Sequence, residues 1–560
     1  MSQLQKEYKN KLYGWLSYAF ASEVFVIVSL TLFLPICLEQ FARDNGYLLP
    51  DKTARCSTLK PPESTGRAAA ADEVEAARCV VKIGWLWIDT ASFSLYTYSI
   101  SVALQALTVI SMGGIADHPT LRKKLLLVFA ALGSIAASGF LALPSSSTVW
   151  FLSCILAIFA NVGFGASTVA MNAYLPSLAY ESESVAMLRQ QLQDFDAANP
   201  RTSAESDDDH CAVYEQEAPL LNSSSFLSDA GERKVLETLY HSELARKTSH
   251  ISSLGIALGY GSGILLLIVA LVPVTKLHGS AFALRLAIGL SGIWWAVFSV
   301  PAAVWLPSAS VSARQENALD EKEWTIGGEI VAAWIRLGNM LRWSEIKKLR
   351  NTFKYLAAWF LLSDGFTTIT STALLFGKTT LRMSASALIL VGVLTPLSGI
   401  LGSLLWPALQ RKFKWSSQTI LVILVVMASM IPAYGCLGFV LQGRVKFGGL
   451  TTQEEMFALA VYFGSVYGAF QGYARAFYAK LLPPGEEARW YGLYSITDKS
   501  SSFIGPLVVG VISDMTGNIR YSFFFLIFMV WAAVPLLLSV DADRGWQDAQ
   551  QYKYQASSSQ

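Results

Sequence analysis

Charged residues and histidines are scarce in this sequence. Asp, Glu, Lys and Arg make up 15% of its 560 residues, hydrophobic residues make up 53%, and there are five histidines. A soluble domain usually has about a quarter of its residues charged, so this composition indicates a membrane protein. The sequence also has no basic block with interleaved aromatic residues, which argues against a nucleic-acid partner.

Motifs for metal binding and catalysis are missing as well. The six cysteines form no CxxC pair, and there is no HExxH segment. An intramembrane enzyme needs a nucleophile with a base, or a metal cluster, within its spans. All the histidines fall in predicted loops or at helix ends: His118, His210, His241, His250 and His278. We therefore expect no metal, no cofactor and no enzymatic activity.

The apolar residues gather into runs that are long enough to cross a bilayer, which takes roughly 20 residues of helix each. Because lipid offers the backbone no hydrogen-bond partner, such runs must be helical. The sequence therefore predicts an all-α membrane protein with about twelve spans. Their approximate limits are 12–38, 92–116, 125–143, 150–178, 251–274, 281–306, 355–376, 385–409, 418–441, 455–481, 491–513 and 521–540.

Two long polar segments divide the spans. The first contains the run SAESDDDH and has no apolar period, which predicts a mostly disordered loop. The second mixes tryptophans, apolar residues and basic residues, which is typical of a helix on the membrane surface; a soluble linker helix is the alternative. The predicted divisions are spans one to four in 1–180, the disordered loop in 181–250, spans five and six in 251–306, the linker in 307–353, six further spans in 354–541 and a tail in 542–560.

Lysines and arginines in the short loops predict the orientation. They cluster before span one, after span two and after span eight, as Lys6, Lys9, Lys11, Arg122, Lys123, Lys124, Arg411, Lys412 and Lys414. Both termini and both long linkers are therefore expected in the cytosol. The loop with Cys56 and Cys79 then lies on the lumenal or extracellular side, where a disulfide is slightly favoured over two free thiols.

Six spans, a long linker and six more spans suggest two related halves. Glu23 in span one follows a serine and precedes a phenylalanine by two residues, and Asp364 in span seven has the same setting. A Gly-Ala pair precedes Asn172 in span four, and one at the same spacing precedes Arg475 in span ten. Because these matches fall in corresponding spans, they predict the two six-helix halves of the major facilitator fold.

Polar side chains inside the spans are the candidates for the transport site, because a charge at mid-bilayer costs at least about 2.5–3.5 kcal/mol. Spans one, four, seven and ten line the central cavity of a major facilitator, and they carry Glu23, Asn172, Asp364 and Arg475. A zwitterionic amino acid would place its ammonium at Glu23 or Asp364 and its carboxylate at Arg475, which can bind it bidentately. Either acid is also a candidate for a coupling proton, because burial favours the protonated carboxyl.

A structural role is the alternative for each candidate. A salt bridge between Arg475 and Asp364 would hold helices together, and buried amides such as Asn172 often only cross-link helices. Asp498 and Lys499 also belong to span eleven, but nearer its predicted cytosolic end.

Several glycines and one loop predict details of helix packing and gating. Gly255, Gly259 and Gly263 have the spacing of close helix packing in span five, and a Gly-Pro pair at 505–506 predicts a kink in span eleven. After span two, Gly113 and Asp117 are followed by Arg122, Lys123 and Lys124, which resembles the signature loop of major facilitators. The loop predicts a gating contact on the cytosolic face; an ordinary helix end with positive charges is the alternative.

Five segments closely resemble the autophagy-related protein 22 family of fungal vacuolar effluxers. They are GWLSYAFASEVFVIVSLTLFLPICLEQFARDNG at 14–46, DTASFSLYTYSISVALQAL at 89–107, NAYLP at 172–176, AWFLLSDGFTTI at 358–369 and SFIGPLVVGVISDMTGNIR at 502–520. The resemblance implies a vacuolar transporter of the major facilitator class that exports neutral amino acids, such as leucine, isoleucine and tyrosine, during autophagy. The competing hypothesis is a non-transporting receptor or scaffold that acts through the loop at 181–250.

Overall fold

The computed structural model describes residues 3–50, 52–56, 79–117, 119–198, 223–277, 279–307, 325–441, 447–483 and 487–552. In these ranges nine helices are long and apolar enough to cross a membrane. Spans seven, ten and eleven are helical too, but they are more polar because they carry Asp364, Arg475 and the pair Asp498 and Lys499. The predicted all-α membrane protein is confirmed.

Span one is a long helical segment near the N-terminus that changes its helix type along its length. Its helix Gln3–Val24 continues as a π-helix at Phe25–Phe33 and then as helix Leu34–Asp44. The helices of spans two to twelve are Thr90–Asp117, Pro119–Gly139, Leu152–Asn172, Ser223–Lys276, Ala281–Trp305, Arg350–Thr379, Ala385–Phe413, Ser417–Leu441, Gln453–Ala479, the pair Glu487–Ser501 and Ile504–Thr516, and Ser522–Leu538.

A small antiparallel sheet covers one end of the bundle. Its strands are Tyr47–Leu48, Cys79–Ile83 and Leu86–Asp89, with Val80 opposite Tyr47 on one side and opposite Asp89 on the other. A disulfide joins Cys56 to Cys79, whose Cα atoms are 6.1 Å apart. We refer to this end as the disulfide face, and to the opposite end, where the described linker helices and the tail helix lie, as the linker face.

The two halves pack their helices in the same pattern. Span one contacts spans five and six, as span seven contacts spans eleven and twelve. Span four contacts spans two and three, as span ten contacts spans eight and nine. Between the halves, the main contacts join span two to span eleven and span five to span eight. This repetition supports the predicted duplication of a six-helix unit.

One pair of hydrogen bonds repeats at the level of single residues. In the first half, Trp15 Nε1 of span one donates to the carbonyl oxygen of Met171 in span four, at 2.9 Å. In the second half, the Tyr355 hydroxyl of span seven donates to the carbonyl oxygen of Ala474 in span ten, at 2.8 Å. Met171 and Ala474 directly precede Asn172 and Arg475, so the acceptors occupy corresponding positions, while the donors Trp15 and Tyr355 differ by one position relative to Glu23 and Asp364.

The prediction of disorder in 181–250 is wrong for most of that segment. Residues Glu183–Ala198 form a helix, and the span-five helix begins at Ser223; residues 199–222 lie outside the described ranges. Arg233 Nε pairs with Asp196 Oδ1 at 2.8 Å, which joins the two helices. The helices form without an apolar period because ion pairs and their attachment to span five replace a buried face.

The linker between the halves contains two helices, Ile326–Met340 and Trp343–Lys348; residues 308–324 are not described. The first packs on span two, where Trp334 Nε1 donates to the Ser111 hydroxyl at 3.2 Å. Val331, Ile335 and Trp343 are all more than half exposed. Large apolar side chains exposed beside a membrane span agree with the predicted helix at the membrane surface.

Candidate functional site

Glu23 lies in the middle of span one, one residue before the last residue of its first helix. A Cβ atom built on Gly259 of span five would lie 2.7 Å from Glu23 Cβ, so the acid fits directly over that glycine. The Glu23 carboxylate has no hydrogen bond to any described residue. Lys499 and then Arg475, both from the second half, are the cations that interact with it electrostatically. The charge of Glu23 is thus balanced across the boundary between the halves.

Asp364 occupies the corresponding position of span seven, but its carboxylate is fully engaged. The Gly505 N–H donates to its Oδ1 at 3.0 Å and to its Oδ2 at 2.9 Å. The Thr368 hydroxyl donates to Oδ1 at 3.3 Å, and the residue is 2% exposed. Asp364 thus binds the Gly505 N–H, one of the first N–H groups of helix Ile504–Thr516 that have no partner within that helix.

A break in span eleven explains why the two acids differ. Span eleven is interrupted between Ser501 and Ile504, which leaves the Gly505 N–H free to bind Asp364. Span five is one continuous helix at Gly259, where backbone N–H groups are used within the helix. Equivalent positions therefore hold a hydrogen-bonded carboxylate in the second half and one without hydrogen bonds to the described residues in the first.

Asp498 and Lys499 stand just before the break in span eleven, where Ser502 Oγ donates to the Asp498 carbonyl oxygen at 2.8 Å. The Ser363 hydroxyl donates to Asp498 Oδ1, and Lys499 Nζ lies 3.3 Å from Asp498 Oδ2. Both residues belong to helix Glu487–Ser501, the part of span eleven nearer the linker face, where their sequence position places them.

Arg475 and Asn172 lie nearer the linker face than Glu23 and Asp364 do. Met171 is bonded to Trp15, which precedes Glu23 by eight residues, a separation of roughly 12 Å along a helix. Asn172 is the last residue of its helix and is exposed. Arg475 is likewise exposed, one turn from the end of its helix. The arginine reaches Glu23 electrostatically, whereas Asn172 is placed at the mouth of the cavity.

Arg475 and Asp364 are not paired in the structure. Asp364 binds the backbone of span eleven instead, and no ion pair of Arg475 occurs in the described part of the chain. The alternative of a structural salt bridge between these two residues is therefore not what the helices show.

Tyrosines contributed by four spans surround these charges, and no sequence pattern pointed to them. Tyr260 of span five interacts electrostatically with Glu23 and Arg475. Tyr98 of span two lies near Asp498 and Asp364, and Tyr467 of span ten lies near Tyr260 and Asp498. Tyr494 of span eleven stacks on Trp359 with ring centroids 4.5 Å apart. The cluster combines charges of both signs with an aromatic wall.

The disulfide face is closed by contacts between the halves. The Tyr96 hydroxyl donates to Asp514 Oδ2 at 2.7 Å, and the Asp89 N–H donates to Asp514 Oδ1 at 2.7 Å. The Ser92 and Ser99 hydroxyls donate to the carbonyl oxygens of Gly510 and Phe503. All these bonds join span two or its preceding strand to span eleven. These contacts close the disulfide face, whereas Arg475, nearer the linker face, is exposed.

The predicted gating loop is only partly described. Gly113 lies inside the span-two helix, with open space where a Cβ atom would stand. The helix ends at Asp117. The Arg122 guanidinium lies 5.1 Å from the ring centre of Tyr174, near the end of span four. A role of Gly113, Asp117 and Arg122 in gating stays a prediction.

Comparisons of the whole chain identify its relatives. Residues 7–550 match the family described as vacuole effluxer Atg22 like. The autophagy-related protein 22 of Cryptococcus neoformans var. neoformans serotype D is 40% identical, covering 96% of this chain and 95% of the relative. Autophagy-related protein 22-1 of Penicillium rubens is 39% identical, covering 97% of this chain and 91% of the relative.

Solved transporters share the fold at low sequence identity. A peptide transporter POT, solved as a point mutant in complex with alafosfalin, has a TM-score of 0.53 and 12% identity, covering 98% of this chain and 100% of the other. A D-xylose-proton symporter has a TM-score of 0.51 and 11% identity, covering 96% of this chain and 98% of the other. The major facilitator fold predicted from the sequence is thereby confirmed, and the chain belongs to the Atg22-like vacuole effluxer family of membrane transporters.

Proposed function

We propose that this chain is a secondary transporter of the vacuolar membrane that exports neutral amino acids from autophagic degradation to the cytosol. The linker face, with both termini, is then cytosolic, and the disulfide face is lumenal. The excess of lysine and arginine on the linker face supports this orientation. The disulfide supports an oxidising environment on the other side.

The observation that carries the proposal is the opposition of Glu23 to Lys499 and Arg475 across the two halves. A zwitterionic solute between them would bind its ammonium at Glu23 and its carboxylate at Lys499 and Arg475. Each of these contacts is charge-assisted and therefore stronger than a neutral hydrogen bond. A solute that touches both halves links their relative position to its own binding, as alternating access requires.

The aromatic wall supports the choice of neutral amino acids. Tyr98, Tyr260 and Tyr467 keep part of their side chains exposed beside the charges, whereas Trp359 and Tyr494 are buried against each other. Asp364 acts as a positioning residue in this proposal, because it holds the break that places Asp498 and Lys499. Asn172 lies at the cavity mouth, where it contacts solute only on entry or exit. Protons are proposed as the coupling ion, with Glu23 as the carboxyl that carries them.

The test is exchange of labelled leucine across vesicles that contain the purified protein. Glu23→Gln and Lys499→Gln should each abolish exchange while leaving the amount of folded protein unchanged. Glu181→Gln is the matched control, because Glu181 pairs with Lys11 near the linker face at 2.8 Å and lies outside the cavity. Undiminished exchange in Glu23→Gln would refute the site. No exchange in the unmodified protein with any neutral amino acid would favour the receptor hypothesis.

A further inference from the structure

Glu39 is a buried carboxyl that the proposed transport site does not use. It lies in helix Leu34–Asp44, at the end of span one next to the disulfide face, and its side chain is 0% exposed. Neither carboxyl oxygen has a hydrogen-bond partner among the described residues. The nearby cation on the same helix is Arg43, whose Nε lies 3.4 Å from Oε1 and whose side chain is 46% exposed.

An ionised carboxylate in this position would be unusually costly. Burying a charge without hydrogen bonds carries a large desolvation penalty, which proteins normally avoid by neutralising the group. Glu455, which is buried near the same face, differs from Glu39 because its carboxylate is hydrogen-bonded. Its carboxylate accepts hydrogen bonds from the N–H groups of Gly448 and Thr451 and from the Tyr434 hydroxyl. The contrast indicates a neutral, protonated Glu39 and an ionised Glu455.

Charged groups approach Glu39 from most of the elements packed around its helix. Asp44 follows on the same helix, Asp89 begins span two, and Lys378 ends span seven in the other half. Arg285 of span six donates to the Leu143 carbonyl oxygen, and Lys82 of the sheet lies over the Trp87 ring. Span four has no charged residue. Apart from Arg43, which is within ion-pair distance but 46% exposed to solvent, the nearby charges are mixed in sign.

The location of Glu39 ties its burial to the closure between the halves. Asp89, which reaches Glu39, is the residue whose N–H binds Asp514 of span eleven. Lys378 approaches from the second half. Helix Leu34–Asp44 itself packs on span seven of the second half, so parting the halves at this face would separate these two helices and admit water to Glu39. Closure buries the carboxyl, and opening exposes it.

We propose that Glu39 is a proton-binding site whose occupation by a proton is required for the disulfide face to close. Because proton binding and closure are linked, each favours the other by the same factor. Acid on the disulfide face therefore holds that face shut and the linker face open. The proposal concerns regulation of the proposed transporter, and it relies on that function only for the acidic compartment that supplies the proton.

The test uses the full chain and needs no solute. A cysteine placed at Ser92, which is buried between spans two and eleven, reports opening by its labelling with a membrane-impermeant thiol reagent. Because the thiolate is the reacting form and its fraction falls with pH, each labelling rate is divided by the rate for the same protein unfolded in denaturant at the same pH. This ratio should fall as the pH on the disulfide face is lowered. In Glu39→Gln, which is always neutral, the ratio should be low and independent of pH. Asp44→Asn, a matched change in the next turn of the same helix, should keep the pH dependence.

Two results would overturn the proposal: labelling of the parent protein that ignores pH, or an unaltered pH dependence in Glu39→Gln. Infrared spectroscopy gives a second readout, since the parent should show the carbonyl stretch of a protonated acid that Glu39→Gln lacks; persistence of that band in the variant also refutes it. If Glu39→Gln does not fold, the pH dependence of the parent alone decides. Neither readout involves amino-acid exchange, so failure of exchange would reject the proposed function and leave this inference intact.

Discussion

The Asp364 carboxylate receives the backbone N–H of Gly505 on both of its oxygens. This contact joins span seven to the start of the second helix of span eleven and fixes the break that separates the two helices of that span. The position matches Glu23 in the first half, yet the side chain performs a different task. A charged residue in a membrane span therefore marks the cavity only when its partners leave it available.

Asp364→Asn should lower the thermal stability of the protein. The asparagine amide accepts hydrogen bonds only on its oxygen, so the Gly505 N–H would lose the partner that it has on the second oxygen of Asp364. A buried donor that loses its partner costs about 1–3 kcal/mol. The melting temperature in detergent is the measurement. Glu23→Gln is the comparison, and it should melt close to the parent. Equal stability of Asp364→Asn and the parent would contradict a stabilising role of the contact between Asp364 and the Gly505 N–H.

Gly259→Ala should weaken the packing of span five on span one. Its new methyl group would meet the Glu23 side chain, and overpacking of this kind typically costs about 1–3 kcal/mol. Gly261 is a matched control in the same helix, because a Cβ atom there would meet nothing within 4 Å. Gly261→Ala should be neutral or slightly stabilising. Melting temperatures of the two variants should therefore differ, and equal values would argue against the contact with Glu23.

Tyr96→Phe should loosen the disulfide face by removing one of the two hydrogen bonds to the Asp514 carboxylate. A net loss of about 0.5–1.5 kcal/mol corresponds to an increase of roughly 2- to 10-fold in the open population. Thiol labelling of a cysteine at Ser92 measures it. Tyr521→Phe is the control, because Tyr521 is 45% exposed on the same face and packs its ring on Phe439. A larger increase in labelling for Tyr521→Phe than for Tyr96→Phe would show that the bond between Tyr96 and Asp514 does not hold the face closed.

The tail helix Ala542–Gln550 should detach in acid. The Tyr552 hydroxyl donates to Glu345 Oε2 at 2.6 Å. Partial burial opposes ionisation of Glu345, but the hydrogen bonds from Tyr552 and Lys348 outweigh it and lower the pKa of that carboxyl. A lowered pKa adds stability above the ordinary carboxyl range, and this stability is lost as the pH falls through the folded value.

Labelling of a cysteine at Ala549, which is 1% exposed, would follow the docking of the tail. Glu345→Gln should raise labelling already at neutral pH. Glu329→Gln, which removes an ion pair with Arg336 in the neighbouring linker helix, should leave it unchanged. Acid-independent labelling of the parent would show that another contact holds the tail.

Hydrophobic runs predict the spans well because a backbone in lipid has no hydrogen-bond partner outside its own helix. The repeated acids indicate the two halves. The glycine spacing in span five correctly predicted close packing, and the Gly505-Pro506 pair correctly predicted a bend. The bend alone did not reveal that its free N–H would bind Asp364. That contact depends on the register of two helices far apart in sequence, which no local pattern encodes.

The site was predicted less completely than the fold for the same reason. Glu23 and Arg475 stand out in the sequence as charges within apolar runs, whereas the electrostatic interaction of Lys499 with Glu23 depends on packing between the halves. Tyr98 and Tyr260 are ordinary residues of membrane helices until the packing places them beside charges. The helices within 181–250 were missed because ion pairs, rather than an apolar stripe, support them.

The interruption of span eleven has a consequence for the order in which a solute is held. In a perfectly symmetric pair of halves, two identical acids would face each other, and an amino acid would fit in either of two reversed poses. Here one acid is tied up by the backbone and two cations stand on the same side. In the proposed site, a bound amino acid would then have one orientation, with its amino end towards the first half. The difference between the halves would thus select one of the two reversed poses.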